Sequence, residues 1–158
     1  MKVLRLPFVL AVALAALLGT LASPASAVER TCYGKTGDFN DQPLLLVDWN
    51  RGVSECFGVA PSGSIWHTWQ TANTWYEMPG NGRAWYAASG YDIYDGIFPE
   101  TSQNIGKAVK VVSSTSNSYC NYLDYATNTW GGWYQVPSSS TCTSAPNYGY
   151  AAPSWLLQ

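Results

Sequence analysis

The chain has 158 residues, a formal net charge of −2 and only 11% charged residues, beside 8 Trp and 11 Tyr. It carries no basic stripe, which excludes the electrostatic footprint expected of a nucleic-acid or anionic-membrane binder. A composition rich in aromatic and small polar residues, and poor in charge, fits an extracellular β-protein that meets neutral polar ligands.

Residues 1–27 read as a secretory signal peptide. Lys2 and Arg5 supply a basic start, an apolar run follows over 6–18, and "ASPASA" ends in the small-x-small pattern Ala25-Ser26-Ala27. The apolar run falls short of the roughly 20 residues of a spanning helix, and no later segment is apolar enough, so no transmembrane segment is expected. Cleavage after Ala27 would release a secreted, extracellular chain beginning at Val28. Without Lys2 and Arg5, six basic residues face ten acidic ones, a net charge near −4. About 130 residues suffice for one domain with a real core.

Beyond Val28 helical patterning is nearly absent. "PLLLVDW" (43–49), "VSECFGVA" (53–60), "SIWHTW" (64–69), "AWYAASGYDIY" (84–94), "KAVKVVS" (107–113), "SYCNYLDY" (118–125) and "WYQV" (133–136) read as strands. They are short, rich in β-branched and aromatic residues, and bounded by Gly, Pro, Asn and Ser. "APSG" (60–63) and "PGNG" (79–82) supply turn chemistry. The expectation is an all-β domain of antiparallel sheets over 28–136. The Pro- and Ser-rich tail 137–158 is expected to be irregular and packed on that domain.

Cys32, Cys56, Cys120 and Cys142 all lie beyond the signal, and an even count in an oxidising compartment reads as two disulfides. Of three possible pairings, Cys32–Cys56 with Cys120–Cys142 is favoured. Each closes a loop of about two dozen residues, contributing roughly 3 kcal/mol in the chain-entropy model. No Cys-x-x-Cys spacing is present and His67 is remote in sequence, so no zinc site, and no other metal or cofactor, is expected.

The chain repeats itself. Setting 54–78 beside 109–136 places Trp66 on Tyr119, Trp69 on Tyr122, and "TANTW" (71–75) on "ATNTW" (126–130). The hairpin connections "APSGS" (60–64) and "SSTSN" (113–117) align as well. Each unit is a strand, a tight turn, an aromatic strand, a short loop and a Trp that opens a third strand. A period near 50 residues with about four strands suggests blade-like units, of which two to three fit the chain.

"VSECFGVAPSGSIWHTWQTANTWYEMPGNG" (53–82) resembles the repeat of bacterial tectonin-like lectins of the Photorhabdus type. Phe57, Gly63, Ile65, Trp66, His67, Trp69, Gln70 and Trp75 occupy that repeat's positions, and "PGNG" stands where the family has a Gly-Gly turn. The second unit has Cys120 at the histidine position and Leu123 at the glutamine position, and regains the Trp pair as Trp130 and Trp133. The resemblance covers about half of the secreted chain. It implies a β-propeller that binds sugars, such as fucose or methylated glycans, at aromatic-lined pockets between blades. A closed propeller needs at least about four blades. Either several chains complete a ring as a homo-oligomer, or the units form a small sandwich.

His67 is the only imidazole, and strand alternation puts it on one face with Ile65 and Trp69. Its structural role would be a hydrogen bond to a backbone carbonyl; its binding role would be a bond to a sugar hydroxyl. No Gly-x-Ser-x-Gly elbow accompanies it. Glycoside hydrolysis needs two carboxylates facing each other. Among Glu77, Asp92, Asp95 and Glu100 no pair is marked out, since Asp92 and Asp95 fall on opposite strand faces. The reading is therefore a lectin-like carbohydrate-binding protein for neutral glycans or polysaccharide, not an enzyme and without catalytic residues. Its expected ligand-binding residues are His67, Trp69, Gln70, Trp75, Trp85, Trp130 and Trp133. The alternative is an enzyme inhibitor or protein-binding module presenting the loop "MPGNGRAW" (78–85), with Arg83 at its tip.

Overall fold

A computed structural model describes residues 26–94 and 103–142. Most of the expected signal peptide, the candidate carboxylates Asp95 and Glu100, and the tail beyond Cys142 lie outside the described residues. Among the described residues ten strands run in chain order: β1 Val28–Cys32, β2 Lys35–Phe39, β3 Leu45–Asp48, β4 Ser54–Val59, β5 Ile65–Trp69, β6 Tyr76–Glu77, β7 Tyr86–Tyr94, β8 Asn104–Val112, β9 Ser118–Asp124 and β10 Thr129–Val136. No helix occurs among the described residues, so none is long and apolar enough to cross a membrane.

The strands form two four-stranded antiparallel meanders, β3-β4-β5-β6 and β7-β8-β9-β10, and a separate β1–β2 ribbon. The ribbon turns through Tyr33 and Gly34, both at positive φ, the geometry a two-residue hairpin needs to match strand twist. The sheets face each other and close neither a barrel nor a propeller ring among the described residues. Between them Phe57, Val59 and Ile65 from the first sheet meet Val109 and Val111 from the second, sealed by Trp49, Met78 and Ala84. Burying each of the larger side chains contributes about 1.5–3 kcal/mol.

The register shows how the two sequence units stack. The aligned segments occupy the second, third and fourth strands of their meanders. In β4–β5 the face holding Glu55, Phe57, Val59, Ile65, His67 and Trp69 looks at the second sheet. The equivalent face of β8–β9, with Ala108, Lys110, Cys120 and Tyr122, looks away from the first. The sheets therefore pack front to back, leaving the back of one and the front of the other to be covered. The β1–β2 ribbon covers the first, where Phe39 and Cys32 meet Cys56, Trp66 and Trp75. The segment 137–142 borders the second.

Both favoured disulfides are present. Cys32–Cys56 pins the ribbon to β4, and Cys120–Cys142 pins the end of the described chain to β9.

Candidate functional site

Two places gather polar chemistry beside aromatic rings. The first is a buried ion network between the sheets. Glu55 on β4, only 1% exposed, lies on an otherwise apolar face. Its Oε1 accepts from His67 Nδ1 at 2.5 Å, and its Oε2 accepts from Trp49 Nε1 at 2.9 Å and from Lys107 Nζ. The turn after β3, closed by Gly52 N to Trp49 O, sets the indole beneath the carboxylate. The neighbouring strand β5 supplies His67, and β8 in the facing sheet supplies Lys107. Burial raises the Glu55 carboxyl, but the His67 hydrogen bond and then the Lys107 charge outweigh it and hold the group below the ordinary carboxylate range.

An ionised carboxylate has no proton to give, so Nδ1 of His67 is the donor and the imidazole tautomer is fixed on that side. With both oxygens engaged, Glu55 is unsuited to act as a general acid. The Lys107 ammonium sits 5.2 Å from the Trp49 ring and 5.5 Å from the Trp130 ring. Over His67 lie Trp69 at 5.5 Å, Trp130 at 6.0 Å and Tyr76 at 6.5 Å between ring centroids. Trp69 and Tyr76 stack on one another, and Tyr76 is 41% exposed. The rings form a partly open lid over an ion network in which both Glu55 oxygens are engaged.

The second place is a cleft of about 580 Å³ on the outward front of the second sheet. Its lining includes Trp85, Tyr86, Lys110 and six serines, among them Ser89, Ser118 and Ser138. Trp85, 39% exposed, immediately precedes β7, and Tyr86, 36% exposed, is its first residue. The Trp85 backbone is held on both sides, its N–H donating to Val112 O at 2.7 Å and its carbonyl accepting from Asn40 Nδ2 at 2.7 Å. The "SSTSN" turn gives Ser113, Ser114 and Ser116, the last at positive φ. Ser138 joins from the Cys142-pinned segment, where Lys110 Nζ bonds Ser138 O and Ser140 O. The volume falls within the roughly 300–1,000 Å³ of small-molecule sites.

The expected ligand residues thus divide. His67, Trp69 and Trp130 come together at the sheet edge, and Trp85 stands alone in the cleft. Trp75 is buried at the ribbon, edge-on to Phe39 at 4.6 Å, with Nε1 donating to Lys35 O. Trp133 packs beside Gly80 and Gly82, whose missing side chains leave room for its indole. Gln70 is exposed just beyond β5, and its backbone carbonyl accepts from Lys35 Nζ. His67 bonds a carboxylate, where a backbone carbonyl was the expected partner.

Sequence reasoning passed over Glu55, Lys107, Tyr86 and Lys110. A signal for the first pair does exist: each is a lone charge in phase with apolar neighbours, Glu55 with Phe57 and Val59, Lys107 with Val109 and Val111. Among the described residues no group of His, Cys, Asp or Glu is arranged to hold a metal ion. No family model, no curated protein and no solved structure matches this chain.

Proposed function

We propose that this is a secreted, disulfide-stapled protein that binds carbohydrate without cleaving it, and that the cleft beside Trp85 is its site. The observation that carries this reading is the pairing of two exposed aromatic rings, Trp85 and Tyr86, with a wall of serine hydroxyls. A sugar ring offers apolar C–H faces to an indole or phenol and hydroxyls to small polar partners. Among the described residues no Asp or Glu lines the cleft, so the two-carboxylate arrangement of glycoside hydrolysis has no support there. Two disulfides favour an oxidising, extracellular setting. The tectonin-like lectin repeat remains part of the proposal, supported by the matched strands and turns of the two units.

A glycan array probed with the full secreted chain tests the reading. Binding should appear and fall at least about tenfold on Trp85→Ala, the loss of one stacking aromatic. Trp75→Ala should instead weaken the fold, because that indole is buried. Binding that is indifferent to Trp85 would sink the assignment of the site.

One observation favours the second reading, an inhibitor loop. Gly80 and Gly82 brace the 79–83 loop against Trp133, and the Arg83 side chain is 53% exposed. Its guanidinium, however, turns back onto Gly82 O at 2.8 Å and lies 3.5 Å from Glu77. Protease inhibition abolished by Arg83→Ala, with no glycan bound, would transfer the function to this loop.

A further inference from the structure

Strand β8 carries two lysines on opposite faces, and they differ in what neutralises them. Lys107, pointing between the sheets, meets the Glu55 carboxylate. Lys110, at the cleft and only 8% exposed, meets carbonyl oxygens alone, Ser138 O at 2.6 Å and Ser140 O at 2.8 Å. Carbonyls satisfy two of its three ammonium protons but leave its charge without an opposite. Burying a cation in that condition is unfavourable. Among the described residues, no carboxylate pairs with Lys110 and none lines the cleft.

We infer that the cleft takes a saccharide unit bearing a carboxylate, a uronic acid, in preference to a neutral sugar. This rests on the carbohydrate reading of the same cleft and narrows its substrate class. Trp85 and Tyr86 supply the faces for the sugar ring, and the serines supply partners for its hydroxyls. The ligand carboxylate accepts the remaining Lys110 N–H and supplies the missing negative charge, a charge-assisted bond stronger than a neutral one. The protein's overall acidity does not oppose this, since exposed charges beyond a Debye length of about 8 Å are screened at physiological salt.

The test is calorimetric titration of the full chain with tetragalacturonate and tetramannuronate, each beside the same tetramer after carboxyl reduction. An acidic tetramer should bind on the order of tenfold tighter than its reduced form. The advantage should shrink as salt rises. Lys110→Met should abolish it, while Lys110→Arg, which keeps the charge, should retain most of it. The salt series uses only the unaltered chain, so it decides the matter even where Lys110→Met does not fold. Equal affinity for acidic and reduced tetramers, both lost in Trp85→Ala, would overturn the inference and leave carbohydrate binding standing. If no tetramer binds and an array is also blank, the carbohydrate reading falls and the inference falls with it.

Discussion

Glu55 surrenders its hydration, and what replaces the water is an imidazole N–H, an indole N–H and an ammonium. Removing one partner of a buried ion network leaves the others uncompensated, typically at about 3–5 kcal/mol. Glu55→Gln keeps the shape but removes the charge that Lys107 and His67 face. Urea unfolding at pH 7 should show a loss of about 3 kcal/mol. The folded-state Glu55 carboxyl titrates below 4.5, its ordinary value. Its stabilising contribution is therefore complete above that pH and is lost as the pH falls through the folded value. The unaltered chain should weaken below about pH 4.5, and Glu55→Gln should show a flatter acid limb. An unchanged acid limb in the variant would show that other carboxylates carry the acid sensitivity. This network also marks what the sequence concealed. His67 drew attention as the single histidine, whereas Glu55 and Lys107 lay inside segments that read as ordinary strands. Their partnership crosses from one sheet to the other, and no local pattern encodes a contact between residues 52 apart.

The two hairpin turns put the sequence repeat into backbone geometry. Ala60 N donates to Ser64 O and Gly63 N to Ala60 O; Ser113 N donates to Asn117 O and Ser116 N to Ser113 O. Gly63 and Ser116 hold the same place in the turn, at φ 86° and 64°. Both are three-residue connections whose last residue must be left-handed. A Cβ on Gly63 would also meet Ala84 O at 3.3 Å. Gly63→Ala should therefore cost about 1–2 kcal/mol. Ser116→Gly relieves the equivalent strain and should stabilise by up to about 1 kcal/mol, its gain reduced by the freedom glycine adds to the unfolded chain. Denaturation midpoints, with unchanged slope, would measure both; effects of opposite sign from the same left-handed position would tie the turns together. At this scale the sequence was informative because turn chemistry and period-two alternation are local. The segments it passed over are β1 and β2, while β6 answers to the third strand expected after Trp75. β1 and β2 carry charged and small polar residues such as Glu29, Arg30, Thr31 and Asp38, and gain their burial from Phe39 and the Cys32 bridge. β6 is two residues long and owes its pairing to β5.

Front-to-back stacking has a consequence for the molecule as a whole. An interface between unlike faces is not self-complementary; unless the rotation closes a ring, each added unit exposes the same face again, and growth stops where something else covers it. Here the coverings are short segments, each fixed by a disulfide: the β1–β2 ribbon on the back of the first sheet, and residues 137–142 against the front of the second. The second covering also furnishes Ser138 to the cleft and the carbonyls that hold Lys110. Sequence arithmetic favoured both bridges, but it could not show that one of them builds a wall of the site. The two disulfides should therefore separate stability from binding. Replacing Cys120 and Cys142 by Ala, or Cys32 and Cys56 by Ala, removes a constraint worth roughly 3 kcal/mol in either case. At a temperature where both variants stay folded, the first should lose glycan affinity and begin to self-associate, as the freed segment uncovers Ala108, Tyr122 and Ile93 on the front face. The second should keep its affinity, because nothing from the ribbon lines the cleft. Sedimentation and titration on the two variants read these outcomes independently. If both lost affinity alike, the bridge at Cys142 would be stabilising the fold in general rather than shaping a binding wall.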